Sequence, residues 1–77
     1  MKINIKYDYD KEADVLYASV GEPKPAKSVD YKNGIVIRID PHSGKYIGFT
    51  IIDYMKRKKR GMIKRIPHFK QVELPSY

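Results

Sequence analysis

Ile3, Ile5, Tyr7 and Tyr9 alternate with Lys2, Asn4, Lys6 and Asp8, and this period of two predicts a half-buried β-strand. Asp10-Lys11-Glu12-Ala13-Asp14 interrupts the pattern with short acidic side chains that hydrogen-bond their own backbone in turns. A second strand is expected from Asp14 to Val20, with Leu16, Ala18 and Val20 on one side and Val15 and Tyr17 on the other. The stretch Tyr7 to Tyr17 therefore reads as the hairpin that sets the register of the sheet.

Gly21-Glu22-Pro23-Lys24-Pro25 cannot continue a ladder, because proline lacks the backbone donor, and reads as a loop. A short strand from Ser28 to Tyr31 leads into Lys32-Asn33-Gly34, and Asn-Gly between apolar runs signals a tight hairpin. Ile35 to Asp40 follows, with Ile35, Ile37 and Ile39 inward and Val36, Arg38 and Asp40 outward. Pro41-His42-Ser43-Gly44 makes a further turn. Lys45 to Tyr54 is the most apolar strand, with Ile47, Phe49 and Ile51 on one face and Tyr46, Ile52 and Tyr54 on the other. A strand apolar on both sides needs cover on both sides, which a single sheet does not supply, so either the C-terminal tail or a second copy is expected to provide it.

The expected fold is mainly β, or α+β if the tail is helical. It is an antiparallel β-meander of four to five short strands ending in a short helix or extension. Two regions are distinguished: a sheet domain over residues 1–55 and a basic segment over 56–77 packed on it or extending from it. Asp53 is the expected N-cap of a helix beginning near Tyr54, and Gly61 suits its C-terminus. Met55, Met62, Ile63 and Ile66 would share one helical stripe if the helix passed Gly61, and Pro67 stops it in any case. Val72 and Leu74 have the alternation of an edge strand.

Charge changes the picture only at the end of the chain. The net charge is +7 over 77 residues, with 16 Lys and Arg against 9 Asp and Glu. Residues 1–53 contain as many acids as bases, whereas 54–77 contain eight bases and the single acid Glu73. A basic segment gathered in this way favours nucleic acid or an acidic protein as partner. The candidate binding residues are Lys56, Arg57, Lys58, Lys59, Arg60, Lys64, Arg65 and Lys70, with Tyr54, Phe69 and Tyr77 as stacking surfaces for unpaired bases. The bland reading of the same run is a solvated basic face. Cysteine is absent, and Met-Lys-Ile-Asn-Ile-Lys alternates charge and apolar residues where a signal peptide needs an unbroken apolar run. A cytoplasmic protein without a membrane span is expected.

Catalytic chemistry has little support. Asp10, Glu12 and Asp14 resemble the start of a calcium loop, but the glycine and glutamate that complete one are missing, so turn chemistry is the better reading and no metal is expected. His42 and His68 lie beside prolines, and neither has a local partner to orient it as a general base. No phosphate loop, nucleophile elbow or cofactor motif is present. Most of the seven tyrosines fall on expected strands, where core and cross-strand roles explain them.

Tyr9-Asp10-Lys11-Glu12-Ala13-Asp14-Val15-Leu16-Tyr17, then Gly34-Ile35-Val36-Ile37-Arg38-Ile39-Asp40 and Ile47-Gly48-Phe49-Thr50-Ile51-Ile52-Asp53, resemble the domain of unknown function 2283 family over about residues 2–57. The resemblance implies a compact antiparallel sheet without established enzymatic activity, and a setting beside small toxin-like proteins that suggests an antitoxin role. The family usually continues with Asp-Ala-Ser and a less charged end, so the basic run departs from it. The expected function is a non-enzymatic binding module, with two alternatives: a small basic ribonuclease using His42 or His68, and a purely structural oligomeric subunit. A homodimer through the doubly apolar last strand is expected.

Overall fold

A computed structural model describes residues 5–22, 24–31, 34–61, 63, 66, 69, 74 and 75. Strands β1 (Ile5–Asp10), β2 (Val15–Val20), β3 (Lys27–Asp30), β4 (Ile35–Ile39) and β5 (Tyr46–Ile52) form one antiparallel sheet, followed by helix α1 (Tyr54–Lys59). The mainly β class with a short C-terminal helix is thus the one that alternation predicts. The spatial order is β1-β2-β5-β4-β3. After β2 the proline-containing loop carries the chain to the far edge, and β3, β4 and β5 return by hairpins until β5 closes against β2. The most apolar strand consequently occupies the centre.

Alternation places the core where the period-two reading expects it. Leu16 and Ala18 from β2, Ile35 and Ile37 from β4, and Phe49 and Ile51 from β5 are all buried on one face. The tail supplies the cover: Ile66 and Phe69 are buried against this face, Ile63 and Leu74 pack at its margin, and the Phe69 ring meets Phe49 edge-on at 5.0 Å. Among the described residues nothing covers the opposite face, and Tyr17 and Ile52 remain 42% and 44% exposed. Gly48 sits where β5 runs tight against β2, since a Cβ there would collide with the Ala18 carbonyl oxygen.

Two expectations are corrected at the end of β5. Tyr54 does not continue the strand's outer row. Asp53 adopts a left-handed conformation (φ 55°), the chain reverses its facing, and Tyr54 becomes the first helical residue with no solvent exposure. Asp is one of the few non-glycine residues that tolerates this region. Tyr54 is therefore not a stacking surface for bases. Asp53 holds the N-cap position as expected but makes no side-chain capping bond; a residue in the first hairpin supplies it. The helix stops at Lys59, with Gly61 at φ 67°, so the longer helical stripe does not form. The expected edge strand at Val72, and Met62, Pro67, Lys32 and Asn33, lie outside the described residues.

Candidate functional site

The β1–β2 turn begins with Asp10, whose carboxylate accepts the Glu12 and Ala13 backbone N–H groups at 3.1 and 3.2 Å. The turn ends with Asp14, left-handed at φ 56°. That conformation aims Asp14 across the end of the sheet at α1. Its Oδ1 accepts the Met55 N–H at 2.9 Å and the Tyr9 hydroxyl at 2.7 Å, its Oδ2 accepts the Lys56 N–H at 3.4 Å, and its carbonyl accepts the Tyr54 N–H at 2.9 Å. The first N–H groups of a helix have no partner within it, so a carboxylate here does the work of an N-cap from a distant part of the chain. Asp10 and Asp14, two of the three acids that suggested a calcium loop, are thus engaged with backbone donors, and the described residues contain no His, Asp and Glu grouping suited to a metal ion.

Tyr9 and Asp14 shift one another's proton affinity. The hydrogen bond to Asp14, with burial and the carboxylate charge behind it, pushes the Tyr9 hydroxyl from 10.0 up to about 12. The Tyr9 hydroxyl, followed by the Met55 N–H, holds the Asp14 carboxyl below its ordinary value of 3.8. Because the Tyr9 value is raised on folding, its contribution to stability is complete below pH 10 and is lost as pH rises through about 12. Because the Asp14 value is lowered, its contribution is complete above about pH 4 and is lost as pH falls through the folded value. In thermal melts across pH, the difference between the wild type and Tyr9→Phe should narrow above pH 10. A difference that stays constant through alkaline pH contradicts the coupling.

Helix geometry then divides the basic run. Residues 54, 57 and 58 fall on one side of the helix, and 56, 59 and 60 on the other. Arg57 turns inward: its Nε donates to the Ile52 carbonyl at 2.8 Å and its guanidinium lies against Gly34, where an added Cβ would approach Nε to 2.6 Å. Lys58 also turns inward, with Nζ donating to the Pro75 carbonyl at 3.0 Å and lying 5.7 Å from the Tyr54 ring centroid. Lys56, Lys59 and Arg60 are exposed. Of these, Lys56 approaches Asp53 at 4.0 Å, a separation at which a solvated pair adds little. The structure therefore brings three of the eight candidate cations together on one outward face and assigns Arg57 and Lys58 to holding the helix. Lys64, Arg65 and Lys70 lie outside the described residues, as does His68.

His42 occupies the exposed β4–β5 turn, where its backbone N–H donates to Asp40 Oδ1 at 2.9 Å. That bond is the main cause holding the Asp40 carboxyl below its ordinary value. The turn precedes β5 and α1 follows it, so the seven residues of β5 separate His42 from the cations by roughly 20 Å. Among the described residues, no helix is long and apolar enough to cross a membrane.

The family model described as Protein of unknown function (DUF2283) matches residues 6–54, well over half of the chain. The chain belongs to the DUF2283 family. No curated protein and no solved structure matches it. The DUF2283 match includes Tyr9, Asp14 and Tyr54 but ends before Lys56. The Tyr9, Asp14 and Tyr54 side chains that dock the helix thus lie inside the family region, whereas the anchoring Arg57 and Lys58 and the outward cations lie beyond it. Sequence reasoning missed Asp14 as a cap; the available signal was an Asp ending a tight turn, which tolerates a left-handed backbone and carries a spare acceptor.

Proposed function

We propose that this protein is a non-enzymatic binding module that presents Lys56, Lys59 and Arg60 to the phosphate backbone of a nucleic acid. The observation carrying the reading is the division of α1: two cations anchor the helix, and three face solvent from a fixed platform. Residues three and four apart on a helix sit about 5–6 Å from one another, close enough for each to meet a separate phosphate along a strand. Positioned cations of this kind gain affinity by releasing condensed counterions. The distance from His42 to the cations favours binding over the ribonuclease alternative, in which that histidine and the tail cations would act on one phosphate.

Fluorescence anisotropy with labelled single-stranded RNA and duplex DNA at about 50 and 200 mM salt tests this directly. Replacing Lys56, Lys59 and Arg60 together with alanine should weaken retention by roughly 10- to 100-fold and reduce the salt slope by about 2 to 3. The melting temperature should barely move, because none of the three holds the fold. Retention that the triple variant leaves unchanged rejects the reading. Tight binding to an acidic protein without binding to either nucleic acid would transfer the same face to a protein partner, as an antitoxin-like role requires.

A further inference from the structure

The sheet face turned away from the tail has an ordered pattern that the basic helix does not use. The register places Lys6, Ser19, Gly48, Arg38 and Ser28 in one row across the five strands, and Asp8, Tyr17, Thr50, Val36 and Asp30 in the next. Val15 and Ile52 pair in a third. The central strands thus contribute Val15, Tyr17, Val36 and Ile52, and charge comes from Lys6 and Asp8 on the β1 edge, Asp30 on the β3 edge and Arg38 on β4 beside it. A nucleic acid fits this face poorly, because Asp8 and Asp30 flank the Tyr17 row at both edges. An apolar centre with a charged rim is instead the composition of a protein interface.

We infer that this face pairs with the same face of a second copy. A two-fold axis running across the strands, between the Lys6–Arg38 row and the Asp8–Asp30 row, sets each basic row over the partner's acidic row. Lys6 of one copy then opposes Asp8 of the other, and Arg38 comes over Val36, one strand away from the other copy's Asp30. The arrangement is self-complementary, as a two-fold contact must be. It also accounts for an open cavity of about 480 Å³ lined by Lys6, Asp8, Tyr17, Ser19 and Arg38. With no side chain at Gly48, each copy offers a trough beside its own Tyr17, and the axis brings the second copy's Tyr17 over Ser19 at its side. The local bonds of these cations are at the surface: Lys6 pairs with Glu22 where both are exposed, and Arg38 makes a long 3.4 Å contact with the Lys24 carbonyl.

The size of the face sets the strength. Five strands about 4.8 Å apart and about 20 Å long cover roughly 500 Å² per copy, or roughly 1,000 Å² in all, near the lower limit of specific interfaces. A dimer with a micromolar dissociation constant is the expectation. Sedimentation equilibrium of the full chain from about 5 to 500 µM should show a monomer–dimer equilibrium, at least tenfold weaker in both Tyr17→Lys and Ile52→Lys. Circular dichroism melts check that each variant remains folded. Should either variant unfold, amide shifts of the wild type provide the second reading: Ser19, Val36, Gly48 and Thr50 should move with concentration while Leu16, Ile37 and Ile51 hold still. A chain that remains monomeric throughout, variants that dimerise like the wild type, or concentration-dependent shifts confined to α1 each overturn the inference. The measurement contains no nucleic acid, so its outcome is independent of the binding assay.

Discussion

Replacing Asp14 with alanine lowers the melting temperature by roughly 10–20 °C, the largest effect expected of any single substitution in a turn of this protein. Three hydrogen bonds converge on that carboxylate, two from the first N–H groups of α1 and one from the Tyr9 hydroxyl. Alanine removes both acceptor oxygens, and with them all three bonds, and places an unsuited side chain at φ 56°. Asparagine is the informative companion, because it tolerates the left-handed region and retains one acceptor oxygen. Asp14→Asn should lose about half as much, and Asp14→Gly should separate backbone strain from lost acceptors. In hydrogen exchange, the Met55 and Lys56 amides should lose protection before those of β5. An alanine variant that melts within about 2 °C of the wild type would falsify the assignment of Asp14 as the helix cap.

The contrast between Asp10 and Asp14 shows what could be read from the sequence. Asp10 bonds to residues two and three positions ahead, so its role follows from local turn chemistry. Asp14 meets a helix 41 residues downstream, and no local pattern contains that information. The strands were legible for the same local reason: Leu16, Ile37, Phe49 and Ile51 stand at alternate positions, and a one-residue slip would expose them all. Alternation failed at Tyr54, where a left-handed Asp53 reverses the facing and turns an expected outer residue into a core one. Strand order was legible only in part. Hairpins announce themselves through turn residues, but nothing local says that β5 closes on β2. The basic run was legible as composition and misleading as a surface, because five adjacent cations on a helix cannot all face one way. Three turn outward, and two hold the helix to the end of the sheet.

The anchoring side chain of that helix is Tyr54, and Tyr54→Ala should cost about 3–5 kcal/mol in urea unfolding, as expected for a fully buried aromatic ring. The ring has no solvent exposure and meets Tyr9 edge-on with centroids 5.9 Å apart. Its hydroxyl donates to the Pro75 carbonyl, which also accepts from Lys58, so one carbonyl ties the end of the described chain to both sides of the helix's inner face. Tyr54→Phe keeps the ring and removes only the hydroxyl. It should cost about 1 kcal/mol, since Lys58 still satisfies the Pro75 oxygen. The ratio of the two losses distinguishes packing from tethering. A phenylalanine variant as unstable as the alanine variant would move the anchoring energy from the ring to the Pro75 bond. An alanine variant costing less than about 1 kcal/mol would mean that α1 is held mainly by Asp14 and Arg57, with the aromatic contact secondary.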